Sequence, residues 1–214
     1  MDKTDYQKTR IAQIFMKRFL LLLCLGSLCL GIVYLHFEKK VTRFDLPKGE
    51  LKWSKTKPVD AKLCVPAAFS TAKNYVVGSH KINGKSYGKN RAYCTKVSLI
   101  DGTFVTNKQW ESDNGFQQIL LVKNNVPVKF KGSVKKCIRR ALCKDKNKTF
   151  LIESNYPMTM TTFAKYCSKH CSDAVYLDMG EYGYGYIKNG LFTRPLYIWG
   201  YFTRHKQTNW LYIE

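Results

Sequence analysis

Residues 115–130 read GFQQILLVKNNVPVKF, two strand-like apolar runs on either side of Asn124-Asn125. Branched residues flanking a dipeptide that tolerates left-handed backbone make a hairpin signal. The same layout recurs on both sides of this stretch. Upstream, HKINGKSYG (residues 80–88) turns at Asn83-Gly84, and YCTKVSLIDGTF (93–104) runs as a strand into a tight turn at Asp101-Gly102. Downstream, IRRALCKDKNKTFLIES (138–154) places the polar turn KDKN between two further runs. Successive hairpins predict a largely antiparallel sheet.

One segment breaks the pattern. In TMTTFAKYCSKH (159–170), Met160, Phe163, Ala164 and Cys167 recur at helical spacing behind Thr159, a residue suited to an N-cap. A strand, AVYLD (174–178), follows, and it ends in a carboxylate and the glycine-rich turn MGEYGYGY. LCVPAAF (63–69) reads as a buried strand with an irregular end at Pro66, and further strands are expected around 196–202 and 209–213. The fold class predicted is α+β, a mostly antiparallel twisted sheet with one main helix.

Ahead of this domain, residues 19–37 read FLLLLCLGSLCLGIVYLHF without an Asp, Glu, Lys or Arg. Nineteen helical residues extend about 28 Å, close to the hydrocarbon thickness of a bilayer. Five basic and two acidic residues precede the block, against Lys39, Lys40 and Arg43 after it, so positive-inside bias puts the N-terminus in the cytosol. The run is longer than a signal-peptide core and no small-x-small cleavage site follows it. The organisation expected is therefore a cytosolic tail (1–18), an N-terminal transmembrane helix serving as signal anchor (19–37), a linker (38–60) carrying Pro47, Gly49 and Pro58, and a globular domain (61–214). That domain lies on the non-cytosolic side, in a periplasm or cell envelope.

The formal charge is +21, and the 31 basic and 13 acidic residues from residue 19 onward leave a net of +18. So basic a domain either presents a solvated lysine surface or attracts anions: lipid headgroups, acidic glycans, phosphorylated substrates. An exported domain seldom meets nucleic acid, and no nucleic-acid motif occurs. Of eight cysteines, Cys24 and Cys29 sit in the apolar block. The other six, Cys64, Cys94, Cys137, Cys143, Cys167 and Cys171, suggest disulfides in an oxidising compartment, with the pairing open. A zinc site from Cys137, Cys143, Cys167, Cys171 and His170 matches no common ligand spacing. No other histidine falls at metal-ligand spacing, so no metal and no cofactor are expected.

The strand-to-loop passage AVYLDMGEYGYG carries most of the chemistry. A strand that delivers Asp178 into a glycine-rich turn sets a carboxylate at a strand end, where loops form pockets. Glycines let a ligand approach the backbone N–H groups. Glu181 adds a second carboxylate, and Tyr182, Tyr184 and Tyr186 offer flat faces on which sugars stack. The bland alternative is a capped turn with structural glycines. Asp101 is a weaker candidate, better explained as a turn former.

The order of segments resembles the phosphodiester glycosidase family, whose members remove a sugar such as N-acetylglucosamine from a phosphodiester. That family carries, in order, an Asn-Gly-Gly-Phe-Phe-like strand end, a Gly…Asn-Gly hairpin, an Arg-Thr-Ala strand, a helix, Leu-Asp-Gly-Gly-Gly-Ser and a closing strand pair. The corresponding stretches are PAAFS (66–70), GSHKINGK (78–85), RRALCKDKNKTFLI (139–152), the helix from Thr159, LDMGEYGYGYIKNG (177–190), then LFTRP and TNWLYIE. Pro66, Ala67 and Ala68 stand where the family has Asn-Gly-Gly, Ala141 replaces the Thr, and Met179, Glu181 and Tyr182 replace two glycines and the serine. The resemblance implies a divergent bacterial, Bacteroides-type member. It implies Asp178 and Glu181 as catalytic carboxylates, and Arg140 (or Arg139, one register along) on the phosphate. Gly180, Tyr182 and Phe69 would contact substrate. The substitutions leave two functions open, a membrane-anchored hydrolase of a glycosyl phosphodiester or phosphorylated surface glycan, and a catalytically inactive domain binding an acidic glycan.

Overall fold

In the computed structural model, residues 40–71, 73, 75–132, 134–146, 148–179, 184–190, 192–196 and 209–214 are described. The apolar block 19–37 and the tail before it lie outside them. Among the described residues no helix is long and apolar enough to cross a membrane. Val41–Glu214 make one compact unit of sixteen strands and one helix, arranged in three sheets whose pairings are antiparallel throughout the described residues.

The largest sheet has six strands. It contains the hairpin of β11 (Arg140–Asp145) and β12 (Lys148–Ser154), turned at Lys146, whose φ is 51°. β13 (Asp173–Leu177) lies on the other side of β11, followed by β9 (Leu120–Lys123) and β10 (Val126–Pro127). β1 (Val41–Asp45) closes the far edge on β12. The second sheet runs β15 (Phe192–Leu196), β14 (Gly185–Asn189), β3 (Leu63–Pro66), β16 (Trp210–Ile213), β2 (Lys52–Ser54). The third runs β5 (Lys85–Tyr87), β4 (His80–Ile82), β8 (Gly115–Gln118), β6 (Thr95–Ile100), β7 (Thr103–Asn107).

The four turns expected from sequence all connect hairpins. Asn83-Gly84, Asp101-Gly102 and Asn124-Asn125 hold positive φ, between 47° and 78°, which these residues adopt at little steric cost. The helix, α1 (Met160–Cys167), is capped by Thr159, whose hydroxyl accepts from Thr162 N–H. It buries the four apolar residues read from its periodicity against the six-stranded sheet, with Ala141, Cys143, Phe150, Ile152, Ala174 and Tyr176 beneath it. On the opposite face of that sheet, Leu142, Leu151, Val175 and Leu177 join Leu63, Val65, Phe104, Phe116 and Leu211 in the main core.

Three findings differ from the sequence reading. Residues 38–60, expected as a linker, supply β1 and β2, and Leu51 and Trp53 are buried in the core. Charge and prolines obscured two short strands whose stability comes from partners more than a hundred residues away. The single run read from residue 115 is two strands in different sheets, broken at Ile119. There Gln118 accepts from the Ile119 N–H and donates to Ala67 O. The six cysteines expected in disulfides are free thiols. Cys143, Cys167 and Cys171 gather under α1, where Cys171 Sγ donates to Cys167 O (3.1 Å). Cys64 lies in the second sheet, Cys94 in the loop before β6, and Cys137 in an isolated bridge to Met158.

Candidate functional site

The ends of β3 and β13 and the starts of β11 and β14 meet at one rim. Asp178 follows the last residue of β13, and its N–H donates to Ala67 O (3.0 Å), just past the end of β3. Ala67 and Ala68 are fully buried and their backbone is braced by side chains. Ala67 O also accepts from Gln118 Nε2 (3.0 Å). Asn209, 1% exposed, accepts from Ala68 N–H (2.7 Å) and from Trp53 Nε1 (3.2 Å), and donates to Ala68 O (2.9 Å) and Ser70 Oγ (3.2 Å). A buried amide that satisfies both backbone groups of one residue fixes the strand end where the chain leaves the sheet.

Directly paired residues of an antiparallel ladder project to the same face, and neighbours alternate. Arg140 pairs with Glu153 on one side and Leu177 on the other, so these three face the main core. The Arg140 side chain is completely buried, with Nε (2.8 Å) and Nη2 (2.7 Å) both donating to Glu153 Oε2. Its Nη1 has no hydrogen-bond partner. Gly185, the first residue of β14, lies against this guanidinium. A Cβ there would come within 2.6 Å of Val65 Cγ1 and 3.2 Å of Arg140 Nη1, so only glycine admits the approach.

Arg139 points the other way, toward α1. It is 4% exposed and donates to the neutral acceptors Met158 O (2.7 Å), Lys135 O (2.9 Å) and Met160 Sδ (3.5 Å). Its guanidinium lies 5.7 Å from the centre of the Tyr176 ring. The Tyr176 phenol is pushed well above its ordinary range, first by burial and then by the neighbouring Cys137; Arg139 counteracts this, and the Asp178 carboxylate adds to it. Asp178 is thus coupled to the Tyr176–Arg139 side of the sheet and is partly exposed at its end. Phe69 packs its ring 5.6 Å from that of Tyr176, at 42°.

Of the residues singled out from sequence, the fold therefore brings Phe69 and Asp178 to one rim around Tyr176. Arg140 starts the neighbouring strand, but its guanidinium turns to the opposite face and is held by Glu153. Gly180, Glu181 and Tyr182 lie outside the described residues. Asp101 forms its hairpin turn in the third sheet, with φ 47°. Sequence reading missed Asn209, Gln118 and Glu153. Their signal was a polar residue within or beside an apolar strand, which gives away a buried hydrogen bond but not its partner.

No protein-family model matches the chain, and no curated protein sequence matches it. Among solved structures, the catalytic domain of zebrafish N-acetylglucosamine-1-phosphodiester alpha-N-acetylglucosaminidase, auto-inhibited by its pro-peptide, is similar. The TM-score is 0.53 at 13% identity, covering 82% of this chain and 73% of that one. The chain accordingly has a fold distantly similar to that of a phosphodiester-glycosidase catalytic domain.

Proposed function

We propose that this domain hydrolyses a glycosyl phosphodiester in an acidic glycan, held outside the cytosol by a membrane anchor at residues 19–37. The observation that carries the reading is the Asp178 N–H bond to Ala67 O. It joins the carboxylate-bearing strand end to the Pro66–Phe69 strand end in a fold whose solved neighbour is named for cleaving such a bond. In the proposed reaction a water oxygen attacks the anomeric carbon, the bond from that carbon to the phosphate oxygen breaks, and a phosphate ester leaves. Asp178 stabilises the positive charge that develops on the sugar. Glu181 serves as the second carboxylate, Phe69 and Tyr182 flank the sugar, and the Gly180 backbone approaches it. Arg140, buried on the opposite face of the sheet and held by Glu153, is not placed on the phosphate. Neither a metal nor a cofactor enters this scheme.

The test is turnover of glycosyl phosphodiesters by the purified protein. Asp178→Asn should abolish it while the thermal midpoint stays within a few degrees of the parent; unchanged turnover removes Asp178 from the mechanism. A second reading, an inactive binder of anionic glycans on the same fold, is favoured by the commitment of Arg140 to Glu153. Saturable binding of a phosphorylated glycan without turnover in any substrate panel would select it.

A further inference from the structure

Where β6 begins and β7 and β8 finish, at one end of the third sheet, a cavity of about 470 Å³ is bordered by Asn90, Arg91, Tyr93, Lys96, Asn107 and Lys108. Arg91, Lys96 and Lys108 bring three positive charges to it. Among the described residues none of the three forms an ion pair, whereas Arg43, Lys52, Lys81, Lys123, Arg140 and Lys188 each meet a carboxylate. The Lys96 ammonium rests 5.5 Å from the Trp110 ring centre. One carboxylate lies at the margin, Glu111, which accepts from Asn107 Nδ2. Cys94, also in the wall, has its thiol pushed up to about 11, chiefly by burial, and is uncharged at neutral pH.

The wall is built rather than incidental. Residues 88–94 carry no regular secondary structure beyond a turn, yet the side-chain amide of Gln117, 2% exposed on β8, makes three hydrogen bonds to them and one to Ser79. Its Oε1 accepts from Arg91 N–H (2.9 Å) and Ser79 N–H (2.8 Å). Its Nε2 donates to Asn90 Oδ1 (2.7 Å) and Arg91 O (3.3 Å). Cys94 N–H adds a third bond to the Arg91 peptide (3.1 Å). The backbone that carries Arg91 is fixed by Gln117 and the Lys96 ammonium leans on Trp110, so these two cations lose less freedom on binding than an unsupported surface lysine does. Tyr93 is 63% exposed beside them, although such a ring ordinarily gains by burial.

We propose that this cavity is an anion-binding subsite for an oligosaccharide that carries sulfate or phosphate esters. Arg91 and the two lysines take the ester oxygens, the Asn90 amide a hydroxyl, and Tyr93 a sugar face. Guanidinium suits a tetrahedral oxyanion by offering paired donors, and an exposed tyrosine beside a cation favours a sugar ring over a bare ion. The subsite is independent of hydrolysis at the rim, because none of its residues takes part there.

The test is titration of the full-length protein with a sulfated hexasaccharide, its desulfated counterpart, inorganic phosphate and a single-stranded oligonucleotide of similar charge. The combined Arg91→Ser, Lys96→Ser and Lys108→Ser variant should weaken binding of the sulfated sugar about tenfold or more. A control with the same charge change on exposed residues, Lys48→Ser, Lys129→Ser and Lys131→Ser, should weaken it no more than about twofold. Tyr93→Ala should weaken the sugar more than inorganic phosphate, and the triple subsite variant should leave turnover of a small glycosyl phosphodiester unchanged, which separates the subsite from the rim reaction. Equal losses in the two triple variants would reduce the effect to net charge and overturn the proposal. So would oligonucleotide binding as tight as, and lost with, that of the sulfated sugar.

Discussion

Replacing Glu153 with alanine strands the Arg140 guanidinium inside the protein. The side chains of this pair are 0% and 11% exposed, and two donors converge on one carboxylate oxygen. Removing one partner of such a buried pair costs about 3–5 kcal/mol, because a desolvated charge loses its counter-ion. For a unit of this size each kcal/mol moves the thermal midpoint by roughly 2–4 °C, so Glu153→Ala should lower it by about 6–20 °C. Urea unfolding followed by far-UV circular dichroism and tryptophan fluorescence measures the free energy directly. The double variant Arg140→Met with Glu153→Leu removes both charges and should recover most of the loss, since an apolar pair of similar volume is often as stable. A Glu153→Ala cost under about 1 kcal/mol, typical of exposed ion pairs, would refute the reasoning. It would mean that Arg140 reaches water and is free to hold a phosphate.

Asn209→Ala leaves the Ala68 peptide and Trp53 Nε1 without their buried partner, at about 1–3 kcal/mol for each group left unsatisfied; chemical denaturation should show a loss of several kcal/mol, and a loss below 1 kcal/mol would deny the brace. His80 packs between Trp53 and Tyr87 with Nε2 unpartnered, and burial, then the Lys55 charge, hold its pKa below the ordinary 6.5. The unfolded chain therefore takes up the proton first: the stability that neutral His80 provides is present above pH 6.5 and is lost as pH falls toward the depressed native value, by at most about 1.4 kcal/mol per pH unit. His80→Phe should flatten that part of the stability–pH curve, and an identical curve would rule the residue out. With no reductant present, Cys64, Cys94, Cys137, Cys143, Cys167 and Cys171 should all alkylate once the protein is unfolded. In the native state at pH 8, the buried Cys64, pushed up to about 12, and Cys143, also raised by burial, should lag behind the partly exposed Cys94 and Cys137. Fewer than six labelled sites on peptide mapping would restore the disulfide expectation.

Several features could be read from residues alone because their causes are local. Asn-Gly and Asp-Gly turns declare themselves within two residues. A helix declares itself by the spacing of Met160, Phe163 and Cys167 behind Thr159, whose hydroxyl caps it from three residues away. Alternation and turn chemistry were enough to predict an antiparallel α+β domain, and the order of its segments pointed to the fold that the zebrafish enzyme also has. Sheet membership was another matter. Pairing β1 with β12, or sending β8 and β9 into different sheets, depends on partners distant in sequence, and a short polar strand carries no mark of them. The site divides the same way. Asp178 at the end of a strand was legible, whereas the direction of Arg140 was not. A shift of one residue in a strand exchanges its two faces, and here it sends Arg139 toward Tyr176 and Arg140 toward Glu153. Asn209 closes on Ala68 across 141 residues, a contact that exists only because the tertiary fold lays β16 beside β3.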